Sequence, residues 1–211
     1  MKRKTYDISR NYNKASSKLD NLYKEPLALF DLWMQEAIAD EPYDASAMVV
    51  STVGKDNKPS SRVVLLKEFS EKGFIFFTNY NSRKGKEIIY NSSVALNFYW
   101  KNLEKQVRVE GTVVQLAVEK SIQYFNERPL KSRAATIISN QSEEIPSYDY
   151  LENKMKALIN SDQEMLCPKH WGGYLVVPNY FEFWEGRPNR LNYRLCYVAE
   201  SGLWNRKYLA P

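Results

Sequence analysis

Two short segments of this sequence place cations where they can hold an anionic ligand. The first is residues 62–67 (RVVLLK), where strand alternation puts Arg62 and Lys67 on opposite faces, at the two ends of an apolar run. A flat apolar ligand with an anionic tail fits along such a strand. The alternative is a buried strand whose terminal charges extend to water.

The second cationic segment lies at the predicted start of a helix. Residues 74–78 form a predicted strand and are followed by a polar turn, in which Asn81 or Ser82 is the N-cap. Arg83 and Lys84 then lie in the first helical turn, where the helix dipole disfavours cations. Free amides, a hydroxyl and two cations there predict a phosphate site, with a solvated basic turn as the alternative. The sequence has no glycine-rich phosphate loop.

A third cluster has helical spacing. Tyr124, Arg128 and Ser132 stand four residues apart, so in a helix they lie roughly on one face and can bind a second phosphate. Because Pro129 interrupts a helix, one helix is predicted to stop near Arg128 and another to start near Lys131. A tyrosine–arginine stack at the surface is the alternative.

Length, charge and cysteine usage limit the class of protein. The chain has 211 residues, 44% hydrophobic, and no apolar run near the ~20 residues that cross a bilayer, which predicts one packed cytoplasmic domain over residues 21–211. Residues 1–20 carry +4 of the net charge of +5, which predicts a flexible basic arm and argues against a nucleic-acid partner. Cys167 and Cys196 are predicted to be free thiols. With His170 as the single histidine, neither a metal site nor a Ser-His-Asp hydrolase is expected.

Hydrophobic periodicity predicts mainly strands with flanking helices. Apolar residues recur every three to four positions over 25–40, which predicts a helix, and residues 118–161 also read as helical. An antiparallel barrel with flanking helices, an α+β fold, follows from strands in hairpin order. The predicted strands are 47–53, 60–69, 74–78, 94–99, 106–116, 171–177, 180–184, 194–199 and 203–208.

In combination and in this order, the motifs resemble the pyridoxamine 5'-phosphate oxidase family. Besides the segments above, the resemblance rests on residues 104–107 (EKQV), 124–129 (YFNERP), 141–142 (QS), 171–173 (WGG), 181–184 (FEFW), 190–194 (RLNYR) and 209–211 (LAP). It implies an FMN-binding split barrel that forms a homodimer with FMN at the interface. It also implies oxidation of pyridoxamine and pyridoxine 5'-phosphates to pyridoxal 5'-phosphate by dioxygen, releasing hydrogen peroxide and, from the amine, ammonia.

The resemblance assigns roles to residues. It implies that the phosphate of FMN is held by Arg62, Arg83 and Lys84, with Gln141 and Ser142 reaching in from the facing subunit. The flavin ring is lined by Val63, Val64, Leu65 and Leu66, has Phe77 and Thr78 alongside, and is contacted on the ring or ribityl chain by Lys67, Gln106, Trp184 and Arg194. The substrate is bound by Lys67, Tyr124, Arg128, Ser132, Arg190 and Asn192, of which Arg190 and Asn192 are the candidate catalytic residues.

One position departs from the family pattern. Asn192 stands where the family usually has histidine, and an amide cannot carry a proton near neutral pH. This leaves open a flavin or pyridoxal phosphate binder without efficient turnover. A split-barrel flavin enzyme with another substrate is a further alternative.

Overall fold

The computed structural model describes Tyr12 and residues 24–161 and 163–211. Except for Tyr12, the predicted basic arm over residues 1–20 lies outside the described residues. The helices are α1 (Pro26–Asp40), α2 (Arg83–Tyr90), α3 (Val118–Glu127), α4 (Leu130–Ile138) and α5 (Tyr148–Ile159). The strands are β1 (Ala47–Val53), β2 (Pro59–Leu65), β3 (Glu68–Ser70), β4 (Gly73–Asn79), β5 (Ser93–Trp100), β6 (Lys105–Gln115), β7 (Trp171–Glu185), β8 (Tyr193–Glu200) and β9 (Leu203–Tyr208).

The strands of the described residues form one mainly antiparallel sheet. Its order is β2-β1-β5-β6-β7-β4-β3, and β8 pairs with both β7 and β9. In the β7–β8 ladder, Trp184 lies directly opposite Arg194. The predicted class, antiparallel strands with flanking helices, is confirmed.

The described residues cluster into two compact units, each built from separated stretches of chain. The first unit takes the described residues up to Met48, with Leu96–Glu110 and Asn179–Pro211. The second takes Val49–Ala95 and Gly111–Pro178. The chain passes from one unit to the other within several strands, and the single domain over residues 21–211 stays a prediction.

Each unit has its own aromatic core. In the first, the apolar stripe of α1 buries Trp33 and Phe30 completely, and their rings meet those of Phe183 and Phe98 edge-on at 5.3 and 5.1 Å between centroids. In the second, the fully buried ring of Phe76 packs on the ring of Tyr174, which lies on β7. These cores fix the strands that carry the candidate site residues.

Two strand predictions were wrong in their bounds. The strand over 60–69 ends at Leu65, and a separate strand begins at Glu68. The strands over 171–177 and 180–184 are one strand, β7. Pro178 falls between the ladder with β4, which ends at Val176, and the ladder with β8, which begins at Tyr180, so its missing amide removes no bond from either.

Among the described residues, no helix is long and apolar enough to cross a membrane. Cys167 and Cys196 are both free thiols, as predicted. In the same part of the chain, no cluster of three or more histidine, cysteine or acidic side chains is arranged to hold a metal ion.

Candidate active site

The second unit contains a cavity of about 1210 Å³. Both predicted phosphate-binding clusters open into it. Its lining includes Arg62, Val63, Val64, Leu65, Lys67, Phe77, Thr78, Arg83, Lys84, Tyr124, Arg128, Ser132, Gln141 and Ser142.

Strand β2 forms an apolar wall of this cavity. Its residues alternate between half-buried and exposed, with Val63 66% and Leu65 44% exposed. The alternative of a buried strand is therefore wrong. Leu66 is only 7% exposed and belongs to the core, not to the cavity lining, because the chain leaves the ladder after Leu65.

The start of α2 is organised as predicted, with Ser82 as the N-cap. The Ser82 hydroxyl accepts a hydrogen bond from the amide of Gly85 at 3.3 Å and donates one to the carbonyl of Asn79 at 2.7 Å. A side chain at Gly85 would put its Cβ 2.1 Å from the carbonyl oxygen of Tyr80, so this turn packs too closely for any other residue. The tight turn fixes the direction of the two following cations.

Lys84 is buried beside the cavity and contacts only neutral acceptors. Its Nζ donates to Gln141 Oε1 at 2.8 Å, Thr78 Oγ1 at 3.1 Å and Ser82 Oγ at 3.3 Å. Burial and, secondarily, the charge of Arg62 lower the pKa of Lys84 to about 8. Within the described part of the chain no carboxylate pairs with this ammonium, so it is a buried cation suited to an external anion.

Two arginines adjoin Lys84 and share one acidic partner, Glu87. Arg83 Nε donates to Glu87 Oε1 at 2.8 Å, and Arg62 Nη2 lies 3.4 Å from Glu87 Oε2. Arg62 is fixed further by bonds to Thr52 Oγ1 at 2.6 Å and to Ser60 Oγ at 2.5 Å. The three cations of the predicted flavin phosphate site thus lie together at one end of the cavity.

Gln141 and Ser142 reach this cluster from their own chain. Gln141 accepts from Lys84, and Ser142 Oγ accepts from the backbone amide of Arg83 at 3.2 Å. This corrects the expectation that the pair enters from a facing subunit. The segment between α4 and α5 returns to the start of α2, where Asn79 Nδ2 also donates to the carbonyl of Ser139 at 3.3 Å.

The second cationic cluster centres on Arg128, at the break between α3 and α4. The break lies where it was predicted, with α3 ending at Glu127 and α4 beginning at Leu130. The Arg128 guanidinium lies over the ring of Trp171, 4.8 Å from its centroid, and Nη1 donates to Thr136 Oγ1 at 2.6 Å. Burial lowers the pKa of Arg128, which nevertheless stays protonated at neutral pH.

Aromatic stacking holds the side chains around Arg128. Tyr124 stacks on Phe77 with 4.0 Å between centroids, and Phe77 stacks on Trp171. The predicted alternative, a stack of Tyr124 on Arg128, is not found among the described residues: the Tyr124 ring stacks on Phe77, and the Arg128 guanidinium lies over Trp171. Arg128 has no carboxylate partner among the described residues, so its charge is available to a ligand in the cavity.

The remaining predicted residues lie in the first unit. Trp184 and Arg194 are cross-strand neighbours, and Arg194 Nε donates to Glu182 Oε1 at 2.8 Å. Arg108 Nη1 bonds the same carboxylate at 3.1 Å. Since strand residues two apart share a face, Gln106 lies on the face of Arg108, and Trp184 on the face of Glu182. Three of the four residues predicted to contact the flavin ring or ribityl chain therefore project from one face of this unit.

Buried Glu182 keeps its charge on that face. Burial alone raises the pKa of Glu182, but hydrogen bonds from Arg194 and Tyr180 and the charge of Arg108 outweigh it, and the net pKa is lowered. The carboxylate holds Arg194 from one side, and the carbonyl of Ala210 accepts from Arg194 Nη1 at 2.8 Å on another. The guanidinium is thereby fixed.

Arg190 and Asn192 lie on a strained turn in the same unit. Asn189 and Arg190 both adopt left-handed backbone angles, with φ of 58° and 60°. Asn192 Oδ1 accepts from the amide of Arg187 at 3.1 Å and closes the turn. Such strain in non-glycine residues is typical of functional sites. One role of Asn192 is thus to hold the turn that presents Arg190.

Comparison with known proteins decides the family. A model of the pyridoxamine 5'-phosphate oxidase family matches residues 34–161, and one of the pyridoxine 5'-phosphate oxidase C-terminal dimerisation region matches residues 171–211. The chain belongs to the pyridoxamine 5'-phosphate oxidase family.

Relatives support this over the whole chain. The pyridoxine/pyridoxamine 5'-phosphate oxidase of Thermosynechococcus vestitus is 43% identical, covering 97% of this chain and 98% of that protein. The protein of the same name from Actinobacillus pleuropneumoniae is 43% identical over 98% of this chain and 99% of its own length. These relatives confirm the prediction of an oxidase.

Solved structures confirm the fold. PhzG from Burkholderia lata, solved with tetrahydrophenazine-1-carboxylic acid, is 25% identical and superposes with a TM-score of 0.89 over 96% of this chain and 100% of that chain. A pyridoxamine 5'-phosphate oxidase-related, FMN-binding protein from Nostoc punctiforme, 16% identical, gives a TM-score of 0.71 over 90% of this chain and 100% of its own. The predicted split-barrel class is therefore confirmed.

Three side chains that hydrogen-bond predicted site residues were not predicted from the sequence: Glu87, Thr136 and Glu182. Glu87 had a local signal, its position four residues after Arg83, where opposite charges on a helix pair. Thr136 had a weaker one, four residues after Ser132. Glu182 stood within a recognised motif but carried no signal of its own, because its partners come from three strands.

Proposed function

We propose that the protein is an FMN-dependent oxidase that converts pyridoxine 5'-phosphate and pyridoxamine 5'-phosphate to pyridoxal 5'-phosphate. Dioxygen is the acceptor and hydrogen peroxide a product, and the amine substrate also takes up water and releases ammonia. The observation that carries the proposal is the buried ammonium of Lys84, whose partners among the described residues are all neutral and which lies beside Arg62 and Arg83 at the end of an apolar wall.

The cavity residues fit FMN. Its phosphate matches the donors at the start of α2, where an N-terminal helix end, a guanidinium and an ammonium converge. Its ring matches the apolar segment Val63–Leu65 of β2, which lines the cavity. The similar Nostoc punctiforme protein is described as FMN-binding, which supports the same ligand here.

A second anionic group can bind at Arg128. A cavity of about 1210 Å³ exceeds the roughly 300–1,000 Å³ usual for one small ligand, so it has room for a second molecule. The guanidinium of Arg128 with the hydroxyls of Tyr124 and Ser132 supplies donors for a substrate phosphate. Two separate phosphate sites in one cavity match a phosphorylated cofactor used with a phosphorylated substrate.

When bound, FMN supplies the capacity to accept a hydride from the carbon that becomes the aldehyde. The protein's own residues bind and orient. Arg190 is proposed to position the reacting carbon, and Asn192 to hold the turn that carries Arg190. Lys67 is proposed to contact both ligands from the end of the apolar wall. Proximity of two anchored molecules then provides much of the rate acceleration.

The functional form is proposed to be a homodimer with FMN at its interface. The match of residues 171–211 to a dimerisation region supports it. Gln106, Trp184 and Arg194, which lie on one face of the first unit, are proposed to contact the flavin ring in that dimer. The predicted cytoplasmic location stays a prediction.

The proposal is tested on purified protein. We expect a yellow protein that releases FMN on denaturation and forms pyridoxal 5'-phosphate and peroxide from pyridoxine 5'-phosphate. Protein that is colourless and remains so after incubation with FMN would refute the cofactor assignment. Bound FMN without turnover would favour a second candidate, a binder without efficient catalysis, which the use of Asn192 Oδ1 within its own turn supports.

A further inference from the structure

Glu87 is an acidic residue in a site that the proposed function reserves for a phosphate. Its side chain is only 9% exposed and accepts from four side chains. The donors are Thr52 Oγ1 and Ser60 Oγ, both at 2.5 Å, Arg83 Nε at 2.8 Å and Arg62 Nη2 at 3.4 Å. Three donors come from β1 and β2 and one from its own helix, so the carboxylate ties α2 to the sheet.

The charge of Glu87 does not by itself explain why a carboxylate lies beside a proposed phosphate site. Burial raises the pKa of Glu87, but hydrogen bonds from Ser60, Thr52 and Arg83 outweigh it and bring the net pKa to about 2. It is therefore ionised at neutral pH. A fixed negative charge beside a phosphate repels it, so a compensating geometric role is needed.

The geometry supplies that role. Arg83 is 62% exposed, and an unconstrained arginine on a helix surface samples many rotamers. Glu87 accepts a hydrogen bond from its Nε, and the two terminal nitrogens have no partner among the described residues. Arg62 Nη2 donates to the same carboxylate. Both guanidiniums are thus ordered before any ligand arrives, which lowers the entropic cost of binding.

The charges also match a phosphate monoester. Arg62, Arg83 and Lys84 carry three positive charges, and Glu87 reduces the sum to two. A phosphate monoester carries about −1.5 to −2 at neutral pH. With Glu87 ionised, the cluster and the bound group neutralise each other without excess charge.

We propose that Glu87 is a positioning residue for phosphate binding, which acts by fixing Arg62 and Arg83 in a pre-ordered cluster of net charge +2. This inference rests on the proposed function, because it takes the phosphate of FMN as the ligand. It assigns Glu87 a role in recognising the phosphate end alone. Loss of Glu87 should therefore weaken the binding of flavins that carry a phosphate and leave the binding of flavins without one unchanged.

The test compares two flavins on the ligand-free protein. Glu87→Gln keeps the shape of the side chain and removes its charge, and we expect FMN to bind about 10- to 100-fold more weakly, the effect of disturbing one charge-assisted hydrogen bond. Riboflavin, which lacks the phosphate, should bind within about 2-fold of the wild type. Glu36→Gln is the matched control, since it breaks an ion pair with another buried cation, Lys105, in the first unit.

Several results would overturn the inference. Unchanged or tighter FMN binding by Glu87→Gln would show that the carboxylate only opposes the ligand. Equal losses for FMN and riboflavin would show a general structural role. If Glu87→Gln does not fold, Glu87→Asp retains the charge one methylene short of the arginines. It should still weaken FMN selectively, and wild-type FMN affinity in Glu87→Asp would contradict positioning.

A separate measurement distinguishes failure of the inference from failure of the proposed function. Inorganic phosphate is titrated against wild type and Glu87→Gln, with protection against thermal unfolding as the readout. If wild type binds phosphate but not FMN, the proposed cofactor is refuted. The role of Glu87 is then decided by whether phosphate protects wild type more than Glu87→Gln. Equal phosphate protection of the two proteins would refute the role of Glu87.

Discussion

Replacing Lys84 by methionine should change how stability depends on pH, because the native fold holds this ammonium at a cost. Its pKa is about 8 in the folded protein against 10.5 for an ordinary lysine. One pKa unit corresponds to about 1.36 kcal/mol, so the charged side chain destabilises the fold by about 3 kcal/mol. That cost is fully present below pH 8, falls as pH rises towards 10.5, and is absent above it.

The measurement is urea unfolding of wild type and Lys84→Met in ligand-free form at pH 7.5 and pH 10. Wild type should gain about 2–3 kcal/mol of unfolding free energy relative to the variant over this interval, since only wild type releases the Lys84 proton. Lys58→Met is the control, because Lys58 is exposed and pairs with Asp56. Parallel pH profiles for wild type and Lys84→Met would refute the claim that burial without a carboxylate partner, as seen among the described residues, lowers the pKa of this ammonium.

Binding of FMN should reverse the lowering of the Lys84 pKa. A bound phosphate stabilises the Lys84 ammonium and raises its pKa, so wild-type FMN affinity should decline as pH rises above 8. In Lys84→Met the affinity should be about 10- to 150-fold weaker at pH 7 and without this decline, as expected for loss of one charge-assisted hydrogen bond. Calorimetric titration of FMN across this pH range measures both effects, and wild-type affinity in the variant would contradict the phosphate assignment.

Four further variants separate the proposed roles. Arg190→Ala should retain FMN affinity and lose kcat and kcat/KM together in steady-state peroxide assays, and wild-type turnover would mean that the substrate lies elsewhere. Asn192→His, which restores the usual family residue, should raise turnover and add a pH dependence near the imidazole pKa of about 6.5, and a flat pH profile would show that no imidazole is needed. Arg128→Ala should raise the KM for pyridoxine 5'-phosphate about 10- to 150-fold while FMN affinity stays constant, with a smaller rise for Thr136→Val. A change in FMN affinity in either variant would place Arg128 at the wrong phosphate.

Local chemistry made much of the fold and of the phosphate site predictable from sequence. Ser82 was one of two N-cap candidates, and the bond from the Gly85 amide selects it. The break at Arg128 and Pro129 followed from the geometry of proline. Strand alternation over residues 62–65 matched the observed exposures. In each case the determining interaction lies within a few residues of chain.

Long-range contacts were the part that sequence could not give. The role of Glu87 depends on Thr52 and Ser60, 35 and 27 positions away, which no periodicity connects to it. The course of Gln141 back to Lys84 of its own chain depends on how α4 and α5 are placed, so the expected crossing to a facing subunit was wrong. Strand β7 looked like two strands because its partner changes at Pro178.

The central claim is oxidation of a phosphorylated B6 vitamer at a bound flavin, and the most direct measurement is a single turnover without oxygen. FMN-loaded protein is mixed anaerobically with one equivalent of pyridoxine 5'-phosphate, and the visible flavin absorbance is followed. Bleaching should accompany formation of one equivalent of pyridoxal 5'-phosphate, and admitting oxygen should restore the colour and release peroxide. Flavin that stays oxidised while pyridoxine 5'-phosphate binds would contradict the account.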